Sequence, residues 1–402
     1  MLRGLAVAFV KDLRLLARDR AALVFLTIAP VIVITVAGLS LASLYGAGPK
    51  GTTAYRLPFV DEDRGEIGGA FRKALETIDV VKLEPTDGRE RARSLVVGKR
   101  AGVALVIPAA ATEAVARGEE IELVLFTDPV KYLEIASVRG LIHEIRHRIE
   151  AAAWARAAKR VSLERERALA ARPPGVGLPE FPSAALPGAI GLREESVTGA
   201  PQRLNTFDQN VPGFSVTFLL LGMLFGVSLG LLDERDWGTL ERVRTAPTPF
   251  AAILIAKLLS RFVVGVVQML ALFAVGWIAF GVSLGPEPPA LLLPILGIAF
   301  AGTALGLVVA GVARSRDSVL PVGSIVIVTM AAAGGCWWPI DLEPEWMRSA
   351  ALAFPTTWAM AAFNDLMIRR QPVAAALEPT AVLVAYGTVY LVAGLALFRR
   401  HL

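Results

Sequence analysis

Cysteine is almost absent from this chain. The single residue, Cys336, cannot pair within the molecule, which excludes a disulfide scaffold and a cysteine-rich metal site. Histidine is nearly as scarce, with His143, His147 and His401 only. Charge is thin as well: 19% of the 402 residues are Asp, Glu, Lys or Arg and 54% are hydrophobic, where ordinary soluble domains carry about 25% charge. Disorder, collagen and coiled-coil rods are excluded by that balance. A formal net charge of +5 is too mild to argue for a nucleic-acid partner.

The charge that exists is unevenly spread. Between Tyr45 and Asn210 stand 24 basic and 23 acidic residues, with 17 and 13 everywhere else. The middle of the chain has the composition of a soluble domain, and the remainder that of a membrane protein. A hydrocarbon core of roughly 30 Å needs about 20 apolar residues in helical form. Uncharged runs of that length occupy residues 21–44, 211–232, 262–285, 290–313, 318–340 and 379–398. Six spans are expected, each helical because lipid offers the backbone no other partner. The run 350–363 is too short to cross and follows the Trp337-Trp338-Pro339 break. The segment at about 338–370 therefore reads as re-entrant or interfacial, with Trp337, Trp338, Trp346 and Trp358 at headgroup level.

Lys and Arg flank alternate ends of these runs. Arg3, Lys11, Arg14, Arg18 and Arg20 precede the first, and Arg235, Arg242 and Arg244 follow the second, with Lys257 and Arg261 just beyond. Arg314 and Arg316 follow the fourth, and the tail has Arg399 and Arg400. The opposite side has no Lys or Arg at residues 286–289, and Arg348, Arg369 and Arg370 in the longer segment before the last span. The positive-inside rule then places both termini in the cytoplasm and residues 45–210 outside it. The first apolar stretch exceeds the 7–15 residues of a signal-peptide core, so it is expected to remain as a span. Before it, Leu2, Leu5, Phe9, Leu13 and Leu16 recur at helical spacing, which predicts a basic amphipathic helix over residues 1–20 lying along the inner leaflet.

The charged middle alternates short strand-like and helical runs. Strands are expected at 55–60, 80–83, 102–107 and 121–127, and helices at 65–78, from Gly88 to Val97, and at 109–117. A long helix follows over about 130–170, with Ile135, Val138, Ile142, Ile145 and Ile149 as a seam against the α/β core or a second subunit. Five prolines between Pro173 and Pro187 end it, reading as a linker or irregular loop.

Two motifs bear on chemistry. His143-Glu144-Ile145-Arg146-His147 is a literal H-E-x-x-H, whose helical spacing can hold zinc while the glutamate polarises water. Against it, Arg139 and Arg146 share the polar face, and His401 lies across the membrane, leaving no third histidine. His143 and His147 are candidate metal ligands on pattern alone. No ATP site is visible: at Gly98-Lys99, Arg93 stands where the first glycine of a P-loop belongs and Arg100 replaces the hydroxyl. The apolar runs also carry no ionisable residue of the kind that marks a proton relay. Transport energy would have to come from another polypeptide.

The loop after the second run is the most specific feature. Residues 236–244 read as a short amphipathic helix with Leu240 and Val243 on one side, closed by Pro247. The pattern Glu234-x-x-x-Gly238-Thr239-Leu240-Glu241-x-x-x-Thr245-x-Pro247 resembles the coupling-helix signature of type-2 ABC exporter permeases. The segment Asn205-x-Phe207-x-x-x-Val211-Pro212-Gly213 is similar to the same family's, as is the whole order of elements. The resemblance implies an α-helical polytopic protein of the bacterial inner membrane, with six spans, a re-entrant segment and an α/β extracytoplasmic insertion. Its parts would be the helix 1–20, the first span 21–44, the inserted domain 45–210, and five spans over 211–402 with a coupling helix at 234–247. It further implies that Glu234, Gly238, Thr239, Leu240, Glu241 and Arg242 contact a cytosolic ABC ATPase. That partner would hold ATP and Mg, with no cofactor in this chain and no catalytic residue of its own. A second permease subunit, identical or paralogous, would complete the path, and a periplasmic adaptor is an open partner. The alternative is a membrane-anchored zinc metallopeptidase built on His143, Glu144 and His147.

Overall fold

The computed structural model describes residues 2–18, 20–46, 55–78, 81–170, 188–198, 205–238, 250–313 and 315–399. They form two compact units: Met1–Ser43 with Arg203–Leu402, and Leu44–Gln202.

The chain begins with α1 (Leu2–Arg18) and α2 (Arg20–Gly46). Pro30 lies inside α2, and a proline there has no N–H to offer the carbonyl four residues back. That carbonyl belongs to Leu26, and the buried side chain of Gln268 donates to it at 3.0 Å. A neighbouring helix thus satisfies the group that the proline leaves bare.

The second unit is a five-stranded sheet covered by helices. Its strands are β1 (Tyr55–Asp61), β2 (Val81–Pro85), β3 (Val103–Ile107), β4 (Ile121–Thr127) and β5 (Ile190–Ser196), in the order β2-β1-β3-β4-β5. β1 runs parallel to β2 and β3, while β4 is antiparallel to β3 and parallel to β5. Helices α3 (Glu66–Glu76), α4 (Arg89–Val97), α5 (Ala111–Ala116) and α6 (Tyr132–Ala170) complete it. The period of two sorts the strands between two cores. Leu57, Phe59, Leu105, Ile107, Leu123 and Leu125 point to one face, where α3 contributes Ile67, Phe71 and Leu75. Val60, Ala104, Val106, Val124 and Phe126 point to the other, against Ala92 and Val96 of α4. Phe71 and Leu75 are fully buried, each adding about 1.5–3 kcal/mol relative to exposure.

The α6 stripe of Ile135, Val138, Ile142 and Ile145 packs into the first of these cores, so the sheet takes the seam. β5 was not among the expected strands. After Ile190 and Leu192 its residues are Arg193, Glu194 and Glu195, a charged edge that carries little apolar alternation.

The first unit resumes with α7 (Thr206–Asp236), α8 (Phe250–Phe280), α9 (Leu292–Val312), α10 (Arg316–Ala333), α11 (Glu345–Ala351), α12 (Pro355–Phe363) and α13 (Leu377–Arg399). Among the described residues, five helices are long and apolar enough to cross a membrane: Phe207–Glu234, Ala251–Phe280, Pro288–Val312, Arg316–Ala333 and Val373–Phe398. The expected run 21–44 lies on α2, where the described apolar stretch is the shorter Val24–Ser40. α9 sits innermost, and small residues let its neighbours close in. A Cβ on Gly306 would stand 2.8 Å from that of Val227, and one on Gly387 of α13 would strike the Phe300 ring at 2.3 Å.

Two boundaries differ from the sequence expectation. α8 starts at Phe250, ahead of Lys257 and Arg261, because the charges in its first turns have partners. The segment after α10 is a chain of short pieces, α11, α12 and a π-turn at Asn364–Ile368. In it Trp338 Nε1 donates to Glu343 at 3.0 Å and Trp337 Nε1 to Thr217 at 3.2 Å, while Trp346 is exposed.

Candidate functional site

The elbow between α7 and α8 is flanked by charge on three helices. Glu234 lies in the last turn of α7, Lys257 in the second turn of α8, and Asp12 on α1. Lys257 Nζ is 2.5 Å from Glu234 Oε1 and 3.7 Å from Asp12 Oδ2. Lys11 Nζ stands 3.8 Å from both carboxylates. The four formal charges cancel. Asp12, Glu234 and Lys257 keep only 14–17% of their side-chain surface, so removing any one leaves an unbalanced charge in a poorly hydrated cluster.

The end of α7 is set by its own sequence. Gly238 adopts φ +65°, the left-handed conformation that closes a helix and that a Cβ disfavours. Trp237 is 69% exposed at this end, and Asp233 receives Arg316 Nη1 from α10 at 3.0 Å. A cleft of about 200 Å³ opens here, lined among others by Asp12, Leu15, Glu234, Trp237 and Lys257. Of the six candidate contact residues, Glu234 and Gly238 are therefore placed at one site. Thr239, Leu240, Glu241 and Arg242 lie outside the described residues.

Sequence reasoning missed two polar clusters elsewhere in this unit. Asp365 and Arg369, one helical turn apart, pair at 2.7 Å while only 2% and 7% exposed. Arg369 had been counted merely as a flanking charge. Near the start of α7, Asp208 accepts from the backbone of Asn205 and Ser283, Asn205 Nδ2 donates to Phe280 O at 2.6 Å, and Gln209 Nε2 to Gly335 O at 2.7 Å. The apolar runs themselves carry no charge, but α7, which contains one of them, encloses Asp208 near its start.

The H-E-x-x-H residues do not form a metal centre. Glu144 pairs with Arg148 at 2.8 Å, and His147 faces Glu150 at 3.6 Å. Burial, with Arg146, His147 and Arg139 nearby, pushes His143 below its ordinary value. Among the described residues no three ligand-type side chains converge.

Residues 20–396 match the sequence profile described as ABC-2 family transporter protein. The chain belongs to that family. It is a multi-pass membrane permease of the ABC-2 type. Two relatives illustrate its range. The linearmycin resistance permease protein LnrN of Bacillus subtilis (strain 168) is 30% identical over 188 residues, 46% of this chain and 48% of that one. ABC transporter G family member 20 of Dictyostelium discoideum is 24% identical over 142 residues, 35% of this chain and 20% of that protein. The permease thus spans about half the length of LnrN and a fifth of the other. A crystallised domain classed with ABC type-2 transporters of Thermotoga maritima MSB8 is 18% identical and covers 35% of this chain and 86% of its own, at a TM-score of 0.23, too low to speak to the fold.

Proposed function

We propose that this permease is the membrane-spanning subunit of an ATP-driven exporter, energised by a separate cytosolic ATPase that docks on the elbow after α7. The observation that carries the reading is the Asp12–Lys257–Glu234 network. It ties the amphipathic helix α1 to both helices flanking the elbow, so a push on residues 239–249 is delivered to α1, α7 and α8 together. Rigid connection is what a mechanical coupling needs, because a partner shifts an equilibrium only through contacts that differ between its states. ATP and Mg reside on the partner, whose contacts here include Glu234, Gly238, Thr239, Leu240, Glu241 and Arg242.

In this reading α2 is a sixth span, both termini face the cytoplasm of a bacterial cell, and the α/β unit lies outside. The 338–370 pieces form a re-entrant segment. Two copies, or this chain and a paralogue, enclose the path. The name of LnrN, a linearmycin resistance permease, supports a linearmycin-like cargo. The peptidase alternative finds no support in the geometry around His143.

Affinity purification of the tagged chain should recover an ATP-binding subunit. Leu240→Asp or Glu241→Ala should abolish partner-stimulated hydrolysis without loss of membrane insertion. Lys257→Ala should leave the partner bound but cut stimulation by roughly tenfold, a loss of about 1.4 kcal/mol in coupling. Hydrolysis by the purified chain alone, or protease mapping that puts the elbow outside, would overturn the proposal.

A further inference from the structure

Between α3, α5 and α6 the α/β unit holds a cavity of about 890 Å³. Its walls are apolar, from Ile67 and Ala74 on α3, Val115 on α5, and Ile145, Ile149 and Ala153 on α6. The two long helices present alanines here, Ala70 and Ala74 on one and Ala152, Ala153 and Ala157 on the other. Those side chains are too small to fill the gap that the helices leave. A well-packed interior keeps few voids larger than a water molecule, whereas sites for organic ligands run to roughly 300–1,000 Å³, apolar with a few polar groups.

The polar groups at this cavity are unequally paired. Its cations are Lys73, Arg148, Arg156 and Arg160, and its carboxylates Glu66, Glu144 and Glu150. Arg156 is paired with Glu66, and Arg148 with Glu144 at 2.8 Å. Glu150 accepts the backbone N–H of Ile190 at 2.9 Å and faces His147. Lys73 and Arg160 are left with no carboxylate among the described residues. The hollow is thus apolar within, and its lining carries a net excess of one positive charge, with Lys73 and Arg160 exposed at its edge.

We propose that this cavity binds an anionic amphiphile, an acyl-type chain lying between α3 and α6 with its acidic head at an edge where Lys73 or Arg160 supplies positive charge. The inference is independent of the coupling reading, since it concerns binding by the α/β unit alone. A free fatty acid and the phosphate of an anionic lipid share this chemistry.

The test uses the full-length chain in a neutral non-ionic detergent, with dansyl-undecanoic acid as the fluorescent probe. Saturable binding is expected, displaced by oleate or by dioleoyl phosphatidic acid, with oleyl alcohol at least tenfold weaker. Displacement by oleate alone assigns the site to free acids, and by phosphatidic acid alone to lipids. Ala74→Trp and Ala153→Trp fill the hollow and should weaken the probe tenfold or more. Lys73→Glu with Arg160→Glu changes only exposed positions and should erase the preference for acid over alcohol. Equal binding of oleate and oleyl alcohol, displacement only by a neutral apolar peptide, or unchanged affinity in the charge-reversed variant would overturn the proposal.

Discussion

Two acidic residues of this permease, one in each unit, are held in opposite ways. In the α/β unit, Asp63 stays near water and gives its oxygens to the starts of two helices. It accepts from Gly65 N and Gly68 N at α3, and from Thr112 N and Thr112 Oγ1 at α5. Thr112 Oγ1 in turn accepts the Ile67 N–H at 3.0 Å. In the helical unit, Asp365 is almost fully enclosed and faces a guanidinium instead. A carboxylate near solvent can lose its donors and be rehydrated. One enclosed among packed helices cannot, so its partner must stay with it. The contrast shows where the fold tolerates change in charge and where it does not.

The largest effect should come from Asp365→Ala, which removes the carboxylate paired with the buried Arg369 inside the helical unit. A loss of about 3–5 kcal/mol is expected, seen as a steep fall in the yield and melting temperature of the detergent-solubilised chain. Replacing both residues by leucine should recover most of that loss. A single variant as mild as Asp63→Asn would erase the distinction between the two residues.

A smaller and more specific effect belongs to the break in α2. Gln268→Leu should destabilise by about 1–2 kcal/mol, by leaving the Leu26 carbonyl unbonded. Pro30→Ala restores a helical N–H to that carbonyl, so Gln268→Leu should matter less in its presence. A double-mutant cycle by thermal melting should return a coupling of about 1 kcal/mol. Additive losses would mean that the glutamine does not compensate the proline.

The smallest effect should be Asp63→Asn, about 1 kcal/mol as for loss of a helix cap. Burial alone would raise the Asp63 carboxyl, but the hydrogen bonds from Thr112, Gly68 and Gly65 outweigh it and hold the group below its ordinary value. A depressed folded value stabilises the protein fully above the unfolded value of about 3.9, and less as pH falls through the folded one. The gap between Asp63→Asn and the parent chain should therefore persist at neutral pH and close below about pH 4. A gap that grew on acidification would contradict the capping role.

Much of this was legible in the residues themselves. Short apolar runs bounded by charge or proline placed β1 to β4, and the isoleucine stripe of α6 identified its core face, because buried positions must be apolar. Long apolar runs marked the helices of the other unit for the same reason. β5 escaped because an edge strand needs little apolar surface, and its Arg193-Glu194-Glu195 tail carries almost no alternation.

What the amino-acid order determined by itself is the division into a charged α/β unit and an apolar helical one, since hydropathy and periodicity are local properties. The elbow pattern around Glu234 and Gly238 was equally plain. Only the tertiary structure decided which charges are enclosed. Lys257 and Arg369 looked like flanking charges, and Gln268 carried no signal. Each acquired its role from a partner distant in the sequence or from packing around it, and electrostatic pairing depends on distance in space, which local composition does not encode.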